Sequence, residues 1–230
     1  MLEVLRARKP LNRVVVAKSA SGTRLQEIVD LCRELHVPVR FEPREALDRL
    51  AGTKTHQGVI ALGAEQSHVS LEDVMESARL LVVLDGVEDP HNLGAVVRTA
   101  HAAGADALVI PERRSAGLTE TVSKAAAGAL EYLPIARAGN VTQTLEKLKK
   151  NGFWIYGIDE RGEETYDRVE YTEPAALVFG GEGKGLHQLV RQHCDFAVRI
   201  PLAGNIASLN VSVAAGIVLF EWKRRRSKSG

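Results

Sequence analysis

The sequence has few of the features that would assign it to a secreted, membrane-spanning or fibrous class. Its 230 residues include only two cysteines, Cys32 and Cys194, so neither a disulfide framework nor a cysteine-based zinc site is expected. The longest apolar runs, such as Leu80–Leu84, are too short to cross a bilayer, and no signal segment is recognised. Aromatic residues make up 5%, and the chain has no tandem repeat or low-complexity tract. We therefore expect a globular, cytoplasmic protein that does not contact membranes.

Charge of one sign is also lacking overall, because the formal net charge is +1. The distribution is nevertheless uneven: residues 1–60 carry eleven Lys and Arg against seven Asp and Glu, and residues 223–230 carry five basic residues and no acid. The middle of the chain is correspondingly acidic. Basic ends slightly favour a protein that contacts nucleic acid, with a solvated basic tail as the equal alternative.

Apolar segments rich in Val and Ile alternate with segments of helical period, which predicts an α/β fold with mostly parallel strands. The front part is predicted to contain strands at 13–17, 38–41 and 58–62, with helices at 23–36 and 43–50. A polar stretch follows at 63–70. We therefore predict a small domain over 1–67, a linker with a short helix over 68–78, and a larger domain over 79–230.

The larger domain is predicted to be a doubly wound parallel sheet. Its six strands are expected at 80–85, 107–110, 133–137, 153–158, 175–179 and 196–200, and its helices near 91–104, 119–129, 141–151 and 209–225. Such sheets bind ligands in the loops beyond the carboxyl ends of their strands. Candidate functional residues should therefore lie in those loops.

The richest of these loops is Gly180–Gly185, which has four glycines in six positions. It lacks the Ser or Thr that follows Lys in a Walker A loop, and it lacks the third glycine of a dinucleotide fingerprint. Glycines permit close approach of the backbone to a ligand or another segment, and Glu182 adds a chemical group. The alternative is a flexible turn.

Two further segments place polar groups at helix starts. Asn92 lies in the first turn of one helix, where it can contact a ligand or cap the backbone. Gly94 and Arg98 are four residues apart on that helix, and this spacing predicts that the arginine leans over the gap at the glycine. Ser208 and Asn210 bracket the start of the last helix. Taken alone, Asn92 and Arg98 would by default be a helix cap and a surface arginine, and a plain capping role for Ser208 is an equal alternative.

Together the three segments resemble the SpoU/TrmH branch of the SPOUT superfamily, RNA ribose 2′-O-methyltransferases. Its first motif, Asn-x-Gly-x-x-x-Arg, is matched by Asn92, Gly94 and Arg98, its second by Gly180–Gly185, and its third by Ser208–Ser212. The front domain resembles the L30e-like RNA-binding domain of bacterial 23S rRNA guanosine methyltransferases, and His56–Val59 matches a sequence motif typical of them. It starts later than is usual in that group, so a shortened start is expected.

The resemblance implies a SPOUT-type sheet with a C-terminal trefoil knot that binds S-adenosylmethionine, and a homodimer that acts on RNA and not on DNA. It implies backbone contacts to the cofactor from four residues and a catalytic cluster of five. The cofactor set is Gly180, Gly181, Ile200 and Leu209, and the catalytic set is Asn92, Arg98, Glu182, Ser208 and Asn210. No metal is expected, because the seven histidines show no ligand spacing.

Two roles remain open for Arg98. It either acts as the general base with help from an RNA phosphate, or stays charged, binds that phosphate and stabilises an alkoxide, since a guanidinium is normally only a donor. The leading interpretation is methylation of a guanosine in 23S rRNA. The alternatives are methylation of an rRNA adenosine, as in thiostrepton-resistance enzymes, methylation of tRNA, a noncatalytic RNA-binding assembly factor and, more remotely, a nicotinamide-dependent oxidoreductase.

Overall fold

The computed structural model describes residues 1–52, 56–63, 69–113, 115–183, 185–205 and 208–227. By its internal contacts the chain divides into two compact units, residues 1–67 and 68–230. No helix in the described ranges is long and apolar enough to span a membrane.

The first unit is a three-stranded sheet with helices on both faces. Strand β1 is central, parallel to β2 and antiparallel to β3. Its alternating side chains pack in opposite directions, with Val14 and Val16 against Ile28 and Val15 against Leu47. The predicted strands and helices are present with small shifts, and the sequence did not predict α1. The elements are α1 (Leu2–Arg6), β1 (Leu11–Ala17), α2 (Thr23–Glu34), β2 (Val39–Glu42), α3 (Arg44–Ala51) and β3 (Val59–Gly63).

The His56–Val59 motif forms a tight turn before β3. The backbone N–H of Gly58 donates to His56 Nδ1 at 3.0 Å, and His56 Nε2 lies 2.8 Å from Asp48 Oδ1. Gln57 has a φ of 53° and Gly58 a φ of 83°, so the turn passes through the left-handed region twice. The histidine therefore has a structural role in shaping this turn.

The second unit contains a seven-stranded sheet in the order β6-β5-β4-β9-β7-β10-β8, with every pairing parallel. It confirms the prediction of an α/β fold with a parallel sheet. Its strands are β4 (Leu80–Asp85), β5 (Ala107–Pro111), β6 (Ile135–Ala138), β7 (Trp154–Ile158), β8 (Glu164–Thr165), β9 (Ala175–Gly180) and β10 (Phe196–Arg199). Its helices are α4 (Leu71–Met75), α5 (Pro90–Ala103), α6 (Glu120–Ala126), α7 (Val141–Lys150), α8 (Gln188–Gln192) and α9 (Val211–Arg226).

Helices cover both faces of this sheet, as the doubly wound arrangement requires. Along β4, Leu80, Val82 and Leu84 belong to a core cluster shared with α5, α6 and α9. Leu81 and Val83 point into the opposite cluster, shared with α4 and α7. Since β4 is buried along its whole length, it reads as a continuous apolar run, which is typical of a central parallel strand.

Residues 69–78 of the predicted linker pack against the second unit. Val69 forms a bridge with Ala136 beside β6, and Leu71 and Ala78 are buried in the same cluster as α7. The hydroxyl of Ser70 accepts from Asp73 N–H at 3.1 Å and caps α4. Residues 69–78 are therefore part of the second unit, because their apolar side chains complete one face of its sheet.

Other differences concern short or irregular segments. The helix predicted over 119–129 ends at Ala126, since Ala127 is left-handed with a φ of 48°, and a 3₁₀ turn follows at Ala129–Glu131. Neither β8 nor α8 was predicted, because two and five residues are too few to show a period. The basic tail is helical as far as Arg226, and Lys228 lies outside the described residues.

Candidate active site

A cleft opens where β7, β9 and β10 end and α9 begins. Its volume is about 260 Å³. This is the carboxyl edge of the parallel sheet, where the strand loops were predicted to carry function. The cleft is lined by Ile158, Asp159, Glu160, Arg161, Phe179, Gly180, Gly181, Glu182, Gly183, Gly185, Ile200, Leu202, Ser208, Leu209, Val211 and Ala214.

The glycine loop forms one wall because its backbone packs against other backbone. A Cβ at Gly180 would overlap Gly185, and one at Gly181 would overlap the carbonyl of Gly86. Gly181 N–H donates to the Asp85 carbonyl at 2.8 Å, and Gly185 N–H donates back to the Gly181 carbonyl at 3.2 Å. The glycines are therefore required by close backbone approach, as the sequence indicated.

A buried carboxylate fixes the far end of this loop. Asp85, at the end of β4, is only 5% exposed. Its Oδ2 accepts from the backbone N–H of His187 at 2.8 Å, and its Oδ1 lies 2.9 Å from the His187 ring nitrogen Nδ1. This pair, which was not predicted from the sequence, holds the end of the loop against β4.

Three of the predicted catalytic residues form one hydrogen-bond relay. The side-chain amide of Asn92, which is 8% exposed, donates to the carboxylate of Glu182. Asn210 Nδ2 donates to Asn92 Oδ1 at 3.0 Å. Asn210 Oδ1 in turn accepts from the Ser212 backbone at 2.8 Å and from the Ser212 hydroxyl at 2.6 Å. The relay therefore joins the glycine loop to the first turns of α5 and α9.

Arg98 does not lie in the cleft. It is exposed on α5, about 9 Å along the helix axis from Asn92 at 1.5 Å per residue. It makes no side-chain hydrogen bond or ion pair with any described residue. The prediction that Arg98 leans over Gly94 is wrong, since α6 occupies that space: a Cβ at Gly94 would lie 2.7 Å from the Val122 carbonyl and overlap Ala125.

The remaining predicted residues lie on the cleft wall. Ile200 and Leu209 are half-buried, and Ser208 is exposed. Of the nine predicted site residues, six line the cleft and two more, Asn92 and Asn210, are joined to it by the relay. Arg98 alone stands apart within this chain.

The sequence analysis missed the loop after β7, which forms the opposite rim. Asp159 is buried and accepts from the backbone N–H, Nε and Nη2 of Arg161, each at 2.9 Å. The Arg161 hydrogen bonds lower the pKa of Asp159, although burial opposes the shift. The neighbouring Glu160 carboxylate lines the cleft. The position of Asp159 directly after strand β7 was the available signal in the sequence.

Comparison with known families matches both units. Residues 79–220 match the SpoU rRNA Methylase family, and residues 1–68 match the family described as RNA 2′-O ribose methyltransferase substrate binding.

Individual relatives agree with these matches. The chain is 39% identical to YacO of Bacillus subtilis, which is assigned to the TrmH family of tRNA/rRNA methyltransferases, over 100% of this chain and 94% of that protein. It resembles the SpoU methyltransferase AviRb of Streptomyces viridochromogenes in complex with AdoMet, with a TM-score of 0.82, 25% identity and coverage of 100% and 88% of the two chains. An AdoMet-bound rRNA methyltransferase of Sinorhizobium meliloti aligns with a TM-score of 0.80, 25% identity and coverage of 98% and 84%.

Proposed function

We propose that this chain, which belongs to the SpoU rRNA Methylase family and is an S-adenosylmethionine-dependent RNA methyltransferase, methylates the ribose 2′-hydroxyl of a guanosine in 23S rRNA. The observation that carries the proposal is the relay from Glu182 through Asn92 to Asn210 at the edge of a glycine-walled cleft. This relay unites residues of all three motifs in one hydrogen-bonded group.

The cleft residues fit S-adenosylmethionine. The cofactor carries a cationic sulfonium and an ammonium group, and the carboxylates of Glu160 and Glu182 line the cleft. Ile200, Leu202 and Leu209 offer apolar surface for an adenine ring. The volume of about 260 Å³ is close to the lower end of ligand pockets, about 300 Å³. In this proposal Gly180, Gly181, Ile200 and Leu209 hold the cofactor, which supplies an electrophilic methyl group on sulfur.

The relay residues position the reacting ribose. In-line transfer to an oxygen depends mainly on alignment of the reacting atoms. The Asn92 amide is held at both ends, by Glu182 and by Asn210, so its orientation is fixed before RNA binds. Asn210 and Ser208 are both exposed beside the cleft, and each retains a donor for a ribose oxygen. These residues therefore set the acceptor oxygen against the methyl group.

For Arg98, which lies outside the cleft of its own chain, we propose the role of a cation that binds an RNA phosphate and stabilises the developing alkoxide in the cleft of the second copy of a homodimer. Its side chain is exposed, and no carboxylate among the described residues neutralises it. An unpaired guanidinium is suited to bidentate phosphate binding. The expected result is that Arg98→Ala abolishes methylation while S-adenosylmethionine binding stays within a few-fold of wild type.

The choice of 23S rRNA rests on the first unit. Residues 1–68 match a substrate-binding family of RNA 2′-O ribose methyltransferases, and the Sinorhizobium relative is named an rRNA methyltransferase. YacO bears a name that covers both tRNA and rRNA, so methylation of tRNA remains the second candidate. Guanosine rather than adenosine is inferred from the His56–Val59 motif of the first unit.

We also propose that the segment from β9 to α9 is threaded as a trefoil knot and that the protein is a homodimer. The tight passage of Gly181 against Gly86 supports the knot. Val213 and Phe220 on α9 are about half exposed, which gives this helix an apolar face suited to a second copy. Sedimentation of wild type and of Phe220→Glu tests the dimer. A wild-type mass equal to that of a monomer contradicts it.

The function is tested with labelled S-adenosylmethionine and three unmodified transcripts: 23S rRNA, 16S rRNA and tRNA. Digestion to nucleosides identifies the product, and Arg98→Ala is compared with Arg137→Ala, which removes another exposed arginine. The expected product is 2′-O-methylguanosine in 23S rRNA alone, formed by wild type and by Arg137→Ala. A 2′-O-methyladenosine product contradicts the guanosine assignment, and transfer to tRNA or 16S rRNA only contradicts the 23S rRNA assignment. Cofactor binding without transfer to any RNA contradicts the proposed reaction.

A further inference from the structure

A second cavity lies at the other end of α9, far from the cleft. It has a volume of about 610 Å³ and is bordered by Arg79 before β4, by Gly104 after α5, and by the last turn of α9. Val211, at the start of α9, lines the cleft, and Arg226, at its end, lines this second cavity. At 1.5 Å per residue the two are separated by about 22 Å.

The lining of this cavity is cationic. Arg79, Lys223, Arg225 and Arg226 border it, and no acidic residue is among the described residues that line it. Two of these cations have nearby carboxylates: Glu221 accepts from Arg225 at 2.7 Å, and Glu173 pairs with Arg226. The other two do not. Lys223 Nζ donates to the neutral carbonyl of Ala102 at 2.8 Å, and the Arg79 side chain has no acceptor within the described part of the chain.

Aromatic side chains hold two of the guanidinium groups in place. Arg226 stacks over the Trp222 ring at 4.3 Å, and Arg225 lies over the Tyr171 ring at 5.9 Å. Burial and the nearby charge of Arg79 lower the pKa of Arg226, so these two cations repel each other. An anion bound in the cavity would relieve the repulsion between Arg79 and Arg226.

We propose that this basic cavity, at the opposite end of α9 from the cleft, binds a backbone phosphate of the RNA substrate. The inference rests on the proposed function, because RNA is the polyanion on which this enzyme class acts. It deepens that function by giving the substrate a minimum extent: an RNA too short to reach from the cleft to the end of α9 gains nothing from the cavity.

The test compares two double variants that lose the same charge. Arg79→Gln/Lys223→Gln removes the two cations without carboxylate partners, and glutamine at 223 keeps a donor for the Ala102 carbonyl. Arg137→Gln/Lys150→Gln is the matched control, since both residues are exposed elsewhere on the same unit. Binding to an unmodified 23S rRNA transcript and to a three-nucleotide RNA is measured over a range of salt concentrations, independently of turnover.

We expect Arg79→Gln/Lys223→Gln to bind the transcript about tenfold more weakly and to lower the slope of log K against log salt by roughly 0.7 to 0.9, the contribution of one phosphate contact. The trinucleotide and S-adenosylmethionine are expected to bind as in wild type. Equal affinity and slope in the two double variants would overturn the proposal, as would equal losses for the transcript and the trinucleotide. If inorganic phosphate binds wild type but Arg79→Gln/Lys223→Gln keeps full RNA affinity, the cavity is a site for free anions and the proposal is overturned. Failure of the proposed function appears separately, as wild-type RNA binding without methyl transfer.

Discussion

Replacement of Asn210 by alanine removes three hydrogen bonds at once: the one to Asn92 at 3.0 Å and the two accepted from Ser212 at 2.8 and 2.6 Å. Loss of an N-terminal cap costs about 1 kcal/mol. Asn92 Oδ1, on a residue that is 8% exposed, loses its donor, which costs about 1 to 3 kcal/mol more. The expected destabilisation is about 2 to 4 kcal/mol, or a fall in Tm of roughly 4 to 16 °C for a chain of this size.

Asn210→Asp separates stability from catalysis. The carboxylate still accepts from Ser212 and keeps the cap, but it has no N–H for Asn92. Rotating the Asn92 amide would satisfy the new carboxylate but would turn the amide oxygen towards Glu182. We therefore expect a smaller fall in Tm than for Asn210→Ala, together with a loss in kcat of at least tenfold at saturating RNA and cofactor, about 1.4 kcal/mol.

Calorimetry and steady-state kinetics measure both quantities. The control is Asn205→Ala, an exposed asparagine without a side-chain hydrogen bond to any described residue, and it should change neither. The reasoning is refuted if Asn210→Asp retains wild-type kcat, or if Asn210→Ala leaves Tm unchanged.

Three further predictions follow from the packing and the ionisable groups. Gly94→Ala forces α5 from α6 and should cost about 1 to 3 kcal/mol in thermal unfolding, whereas Gly204→Ala, with open space around it, should not; equal Tm values would contradict the close contact. The hydrogen bond from Arg224, and then that from Arg225, lowers the pKa of Glu221 to about 2, so the unfolded state protonates first and stability falls as pH drops from about 4.5 towards 2. Glu221→Gln should flatten this part of the stability profile, and an unchanged acid limb would count against it. Burial raises the pKa of Cys194 to about 12, so iodoacetamide at pH 8 should modify the native thiol far more slowly than the unfolded one, as mass spectrometry can measure.

The strands and the glycine loop could be predicted because their signals are local. The apolar run of β4 and the density of glycines after β9 are visible in single segments, and both are found where expected. Gly94 was misread because helical spacing tells which residues share a face but not which helix covers that face. Ala125, which fills the space, lies 31 positions further along the chain.

The sequence named residues that the structure brings together, but it did not predict the hydrogen bonds between them. Motif order named Asn92, Glu182 and Asn210, yet which amide donates to which oxygen depends on coordinates. Asp85 and Asp159 were missed because single carboxylates after a strand are common in sequences. Only burial and the facing partners, His187 and Arg161, distinguish them.

On the proposed role of the relay, its assembly also decides when the folding chain can methylate RNA. Its two central bonds join residues that are 90 and 118 positions apart, and the second, between Asn92 and Asn210, cannot form until α9 has been made and has docked. A nascent chain that has completed β4 to β9 possesses a glycine loop and an Asn92 without the amide that orients it. Methylation should therefore require the complete folded chain. We expect local detachment of α9 to inactivate the enzyme while the sheet is still intact.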